Sequence, residues 1–153
     1  MEFVITSPQY SCAYLCEPIL RALPDWFGIE EAIVHYVNMI DGLPTILARS
    51  GEEAVGFLSI KQHNSYAAEV VVMGVRPEAH RQGIGKALIE AAQAWLREQN
   101  VEYLQVKTLS ASHSDPNYAR TRLFYAAQGF RPLEEFPLLW DEHNPCLLMV
   151  KRL

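Results

Sequence analysis

Residues 69–88 read EVVVMGVRPEAHRQGIGKAL, and the reading of this stretch decides the fold. Val70 to Val75 is apolar almost throughout, the pattern of a strand covered on both faces. Pro77 ends it, and Gly83 and Gly85 punctuate the turn. IGKALIEAAQAWLRE, residues 84–98, follows as a helix with Ile84, Leu88, Ala91, Ala92 and Trp95 on one stripe. The first amides of such a helix have no acceptor within it and attract anions. Arg81 and Lys86 add positive charge, so Gln82 to Lys86, through Gly83, Ile84 and Gly85, has the chemistry of a diphosphate cradle. A tight turn feeding a helix is the simpler reading of a glycine pair taken alone. Two nucleotide motifs fail here. A Walker loop requires Gly where His80 stands and Ser or Thr where Ala87 stands, and the dinucleotide fingerprint requires Gly or Ala at Leu88.

Outward from this unit the chain carries no repeat, low-complexity tract or linker, so one domain spanning 1–153 is expected. Upstream, EFVIT at residues 2–6 reads as a strand. Ser7-Pro8 reads as the N-cap and first turn of a helix reaching about Ala22, and IEEAIVHYVNMI, residues 29–40, as a second helix. PTILARS, AVGFLSIK and AAEVVVMGVRP then form an antiparallel meander. Downstream, YLQVKTL is a strand, YARTRLFYAAQGF a helix closed by Gly129, and the segments around FRPLEEF and CLLMVKR are two last strands. The order β-α-α-β-β-β-α-β-α-β-β, with about seven strands and four helices, places the chain in the α+β class on a mixed, mostly antiparallel sheet.

Composition narrows the function. The 153 residues include 13 Lys+Arg against 18 Asp+Glu, a net charge of −5, with half the residues hydrophobic and a fifth charged. That excludes a mostly disordered chain and argues against a protein that binds nucleic acid by neutralising phosphates. The absence of a run of ~20 apolar residues, and of a basic lead before an apolar stretch, predicts a cytoplasmic protein without a membrane partner. Cys12, Cys16 and Cys146 read as buried, reduced thiols. Cys12 and Cys16 would share a helix face, but no further ligand lies near enough to complete a zinc site, so no metal is expected.

His80-Arg81-Gln82-Gly83-Ile84-Gly85 resembles the acetyl-CoA motif R/Q-x-x-G-x-G/A that the GNAT superfamily of N-acetyltransferases carries between its fourth strand and third helix. The element order resembles the family's over nearly the whole chain, including a late helix that carries a tyrosine and ends in Gly-Phe, here Tyr125 to Gly129-Phe130. Two positions depart: His80 stands where Arg or Gln is usual, and Tyr118, beside Asn117, stands where an Asn often contacts the pantetheine arm. The resemblance implies acetyl-CoA as cosubstrate, its pyrophosphate on the amides of residues 82–86. It implies a strand that splays at Gly74, so that Met73, Gly74 and Val75 hold the arm and an N–H near Gly74-Val75 faces the thioester carbonyl. A lone glycine in an apolar strand independently signals a bulge or a close backbone approach.

The resemblance also implies Tyr125 as general acid and Glu69 as base. A phenol, with reference pKa of about 10, is protonated at pH 7 and can donate to sulfur. A carboxylate near pKa ~4.3 must instead work through water or with a pKa raised by burial, and ordered water with backbone carbonyls is the alternative. The resemblance implies that Glu31, His63 and Trp140 flank the acceptor pocket, although a lone His in a polar turn also reads as surface. Trp26 and Phe27, two large aromatics in a connector between helices, read either as a core plug or as a substrate lid. Glu134, Glu135, Asp141 and Glu142 read as a solvated face, and His113-Ser114-Asp115 does not make a triad by adjacency.

The expected function is an N-acetyltransferase that moves acetyl from acetyl-CoA to a primary amine, small molecule or peptide, by direct attack in a ternary complex. The alternatives are a non-catalytic CoA-binding or regulatory module and an acyltransferase with another donor or acceptor. Net negative charge favours a cationic acceptor. The resemblance also implies a homodimer paired through edge or C-terminal strands.

Overall fold

At the middle of a seven-stranded sheet lies β4 (Ala67–Val75), in a computed structural model that describes all residues 1–153. Around it the chain forms β1 (Val4–Ile5), α1 (Ala13–Arg21), α2 (Glu30–Ile40), β2 (Thr45–Ser50) and β3 (Glu53–Gln62) before it. After it come α3 (Ile84–Glu98), β5 (Tyr103–Leu109), α4 (Pro116–Ala127), β6 (Arg131–Asp141) and β7 (Asn144–Arg152). The spatial order is β1-β2-β3-β4-β5-β7-β6, and only β4 and β5 run parallel. The expected α+β class and element order are therefore observed. No helix is long and apolar enough to cross a membrane.

The sheet separates two cores. On one face α3 and α4 bury Ile84, Leu88, Ile89, Leu96 and Tyr125 against Ile46, Leu58, Val70 and Val106. On the other, α1 and α2 bury Cys16, Ile19, Leu20 and Ile40 against Leu47, Phe57 and Val72. Full burial of an aliphatic side chain is worth about 1.5–3 kcal/mol, so the stripe of α3 alone anchors the helix whose start forms the motif turn. All three cysteines are free and buried.

The first helix begins later than its cap signal suggests. Ser7-Pro8 does not open α1, because residues 6–9 extend the edge of the sheet: Thr6 N–H donates to the Leu47 carbonyl at 2.9 Å, and Gln9 and Thr45 exchange backbone bonds at 3.0 and 2.8 Å. The cap comes from elsewhere, since Asp41 Oδ1 at the end of α2 accepts from Ala13 N–H at 2.9 Å. Pairing with an existing strand outweighed a local capping preference worth about 1 kcal/mol.

At the opposite edge, β6 is exposed at every residue except Phe136. Its ladder to β7 slips between Pro132 and Glu134 and again between Phe136 and Asp141.

Candidate active site

The two parallel strands pair only from Ala67↔Tyr103 to Val70↔Val106, although both continue beyond. The departure has a local cause. On its other side β4 pairs Val70 with Ile60 and Val72 with Ser59, which leaves Val71 as an extra residue, a bulge. Ala68 and Val70 pack with the α3/α4 core, whereas after the bulge Met73 and Val75 do so and Val72 joins the other core. The splay therefore begins at Val71. Gly74 serves the second purpose expected of it, close approach: a Cβ there would meet Leu23 Cδ1 at 3.1 Å and both Ile19 Cγ2 and Phe57 Cε1 at 3.3 Å.

Arg76 N–H donates to the Val55 carbonyl at 2.8 Å, so by the alternation of an antiparallel ladder Gly74 also turns its polar groups toward β3. Met73 and Val75 then turn theirs toward the gap. The Val75 carbonyl is already taken, since His80 Nε2 donates to it at 2.7 Å while the ring stands edge-on to Trp26. His80, though exposed, thus braces the turn.

The gap opens into a cleft of about 880 Å³ that passes between the two faces of the sheet. At one end is the start of α3. Arg81 and Gly83 adopt left-handed φ of 62° and 81°, and the first amide returned to the helix is that of Ala87, which donates to the Gly83 carbonyl at 3.0 Å. The amides of Ile84, Gly85 and Lys86 precede it and have no helical acceptor. Nothing lies within 4 Å of a Cβ built at Gly83, whereas one at Gly85 would meet the Phe124 ring at 3.1 Å. Gly83 thus permits the turn and leaves room above it, and Gly85 permits α4 to close on α3. Arg81, Lys86 and Arg120 line this end. Gln82 is exposed and does not line the cleft.

Tyr125 reaches the cleft from α4, 7% exposed between Phe124 and Phe130, and burial drives its hydroxyl pKa well above the ordinary phenol value. Tyr118 also lines it, donating its hydroxyl to the Trp26 carbonyl at 2.7 Å; burial pushes its pKa up to about 12. Asn117 lies outside the lining, its side chain accepting from Arg120. Asp115 caps α4, accepting from the Asn117 and Tyr118 amides at 2.8 and 3.2 Å.

On the other face of the sheet, Trp26, Phe27 and Tyr36 pack against the α1/α2 core and line the cleft, Trp26 reaching as far as His80, and exposed Trp140 joins the lining from β6. Trp26 Nε1 donates to Thr121 Oγ1 at 3.0 Å, tying the α1–α2 connector to α4. Glu31 is exposed on α2 and takes no part. Glu69 sits behind the lining, 7% exposed, with Oε1 2.7 Å from His63 Nε2, 3.0 Å from Gln105 Nε2 and 3.3 Å from Lys107 Nζ. Burial raises its pKa, but these three partners outweigh burial and hold it below the usual carboxylate value, the reverse of the upward shift that a base would need. His63 reaches this cluster and not the cleft. Sequence reasoning missed Tyr36, Lys107, Thr108, Arg120 and Thr121 in the lining.

Residues 41–132, more than half of the chain, match the family model described as acetyltransferase (GNAT) domain. The chain belongs to the GNAT acetyltransferase family. Solved GNAT structures share the fold across the full length. A GNAT-family protein from Desulfovibrio desulfuricans aligns at 15% identity and TM-score 0.84, covering 99% of each chain. A GNAT-family acetyltransferase from Elizabethkingia anophelis, with acetyl-CoA bound, aligns at 17% and 0.74, covering 99% of this chain and 98% of that one. The ribosomal-protein-S18-alanine N-acetyltransferase from Escherichia coli aligns at 17% and 0.75, covering 99% and 94%. At these identities the likeness establishes the GNAT fold alone. No curated protein matches the chain in sequence.

Proposed function

We propose that this GNAT protein is an N-acetyltransferase that passes the acetyl group of acetyl-CoA to a primary amine by direct attack in a ternary complex. The observation that carries the reading is one continuous cleft: unpaired α3 amides at one end, the open edge of β4 in the middle and a buried phenol beside it. Acetyl-CoA supplies an acetyl thioester, activated for transfer. The amides of Ile84, Gly85 and Lys86, with Arg81 and Arg120, fit its diphosphate. Met73 and Val75 present unpaired N–H groups to the arm and to the thioester carbonyl, where a donor stabilises growing negative charge. Holding both substrates in line supplies orientation.

The C–N bond forms as the C–S bond breaks. Nitrogen gives up two protons, the ammonium proton to water before attack and a second as it becomes the amide; the sulfur leaves as a thiol with the proton of Tyr125, which the second nitrogen proton restores through solvent, so one proton is released net. The raised pKa of Tyr125 keeps it protonated throughout the physiological range. Glu69 lies behind the lining, so it accepts the amine proton only through water.

Calorimetric titration with acetyl-CoA, followed by measurement of free CoA thiol over a panel of amines, tests this reading. Binding with amine-dependent thiol release is expected. Binding without release from any amine would leave a CoA-binding module, and no binding at millimolar acetyl-CoA would end the assignment.

A further inference from the structure

The charge of the cleft runs opposite to that of the chain. The protein carries −5, yet no Asp or Glu lines the cleft, whereas Arg81, Lys86, Lys107 and Arg120 do. Three of these belong to the α3 and α4 side and suit a diphosphate. Lys107 stands apart. Along β5 it alternates with Val106, which packs in the α3/α4 core, so it projects to the opposite face, beside Gln105 and Glu69. That is the face on which Trp26, Phe27 and Tyr36 pack.

The geometry separates Lys107 from its counterion as seen by a ligand. Glu69 is 7% exposed and behind the lining, its Oε1 engaged by three side chains, while Lys107 is part of the lining and its side chain is 31% exposed. An ammonium has three N–H donors and Glu69 takes one, leaving two for the cleft. A molecule entering from this side meets an ammonium and aromatic rings, and no carboxylate. Polyamines and amino sugars, which the acidic composition favoured, would bring like charge to like charge. A flat ring would lie on the faces or edges of Trp26, Phe27, Tyr36 and Trp140, and a carboxylate would pair with Lys107 in a partly dehydrated setting.

Resting on the acetyltransferase reading above, we propose that the acceptor is a small amine on an aromatic body that also bears a carboxylate, the class of the aromatic amino acids. Lys107 is then the contact that selects the carboxylate. The products are the N-acetyl amino acid and free CoA, with bonds and protons exchanged as above.

The test compares thiol release from phenylalanine, from phenethylamine, which lacks only the carboxylate, and from spermidine, with acetyl-CoA binding measured first. The kcat/KM for phenylalanine is expected to exceed that for phenethylamine by about tenfold and that for spermidine by more, as a charge-assisted pair in a confined site gives. Lys107→Met should bring the first ratio to within about threefold of one. Trp140→Ala, at the exposed rim, should lower the preference for phenylalanine over alanine, and it decides the aromatic half should Lys107→Met fail to fold. Phenethylamine or spermidine turning over as well as phenylalanine, or a ratio unmoved by Lys107→Met, would each overturn the proposal. Failure to bind acetyl-CoA, or binding with no thiol release from any amine, would instead overturn the reading beneath it.

Discussion

The two halves of β4 are both largely apolar and are put to opposite use. Ala67 to Val70 is paired on both sides, antiparallel to β3 and parallel to β5, whereas Val72 to Val75 keeps only β3. Glu69 apart, both halves are apolar; the first supplies Ala68 and Val70 to the α3/α4 core, the second Met73 and Val75 to that core and Val72 to the other. What differs is one surplus residue, Val71, after which the alternation resets and the strand no longer meets β5. In the first half the backbone groups stabilise the sheet. In the second they are left for something else to pair with, and the residues that could do chemistry gather along that unpaired edge. The site arises where the sheet stops satisfying itself.

The sharpest test of that contrast lies at Tyr125. Replacing Tyr125 by Phe should lower kcat by roughly 10²- to 10⁴-fold while acetyl-CoA affinity stays within about twofold, measured by steady-state kinetics and calorimetry. Undiminished turnover would reduce the open half to a binding groove.

Next in size is Gly74→Val. The added side chain meets Leu23, Ile19 and Phe57 at contact distance or closer, so it should cost about 1–3 kcal/mol in urea unfolding, despite lying in the functional half. A neutral result would mean that α1 can move away from the strand.

Glu69, in the paired half, sharpens the comparison through pH. Its folded pKa lies below the ordinary 4.5, so the stabilisation it contributes is complete above about pH 4.5 and fades as pH falls through the lower folded value. Glu69→Gln should cost about 1–2 kcal/mol near neutrality, a gap from the parent that narrows in acid. A gap that widened on acidification would reverse the assigned sign. The smallest effect is expected at the turn: His80→Ala frees the Val75 carbonyl and should raise the acetyl-CoA dissociation constant by about two- to fivefold.

The motif turn was legible because Gly83 and Gly85 sit at a strand-to-helix junction, and the left-handed φ at Gly83 is what that spacing requires. Gly129 was legible for the same reason, closing α4 at φ 96°. The bulge was not, since three consecutive valines carry no sign of which one is surplus. Nor was the late start of α1, where Ser7-Pro8 looks like a cap until β2 is there to pair with residues 6–9. The close approach of Gly85 to Phe124 was not legible either, being a contact between elements far apart in sequence. Lys107 could have been found: Gln105 and Lys107 alternate with Leu104 and Val106, so both polar groups face one side, and Glu69 on the adjacent strand needed partners.

The proline pair of β6 bears on how this molecule behaves in a crowd. An outermost strand offers a row of free donors and acceptors on which a neighbour could template itself, and Leu133, Leu138 and Leu139 are exposed along this one. Pro132 and Pro137 each delete a donor from the row, and the register slips break what remains into short pieces. The rim can therefore stay greasy without seeding fibrils, which leaves its side chains free to vary at little hazard to solubility.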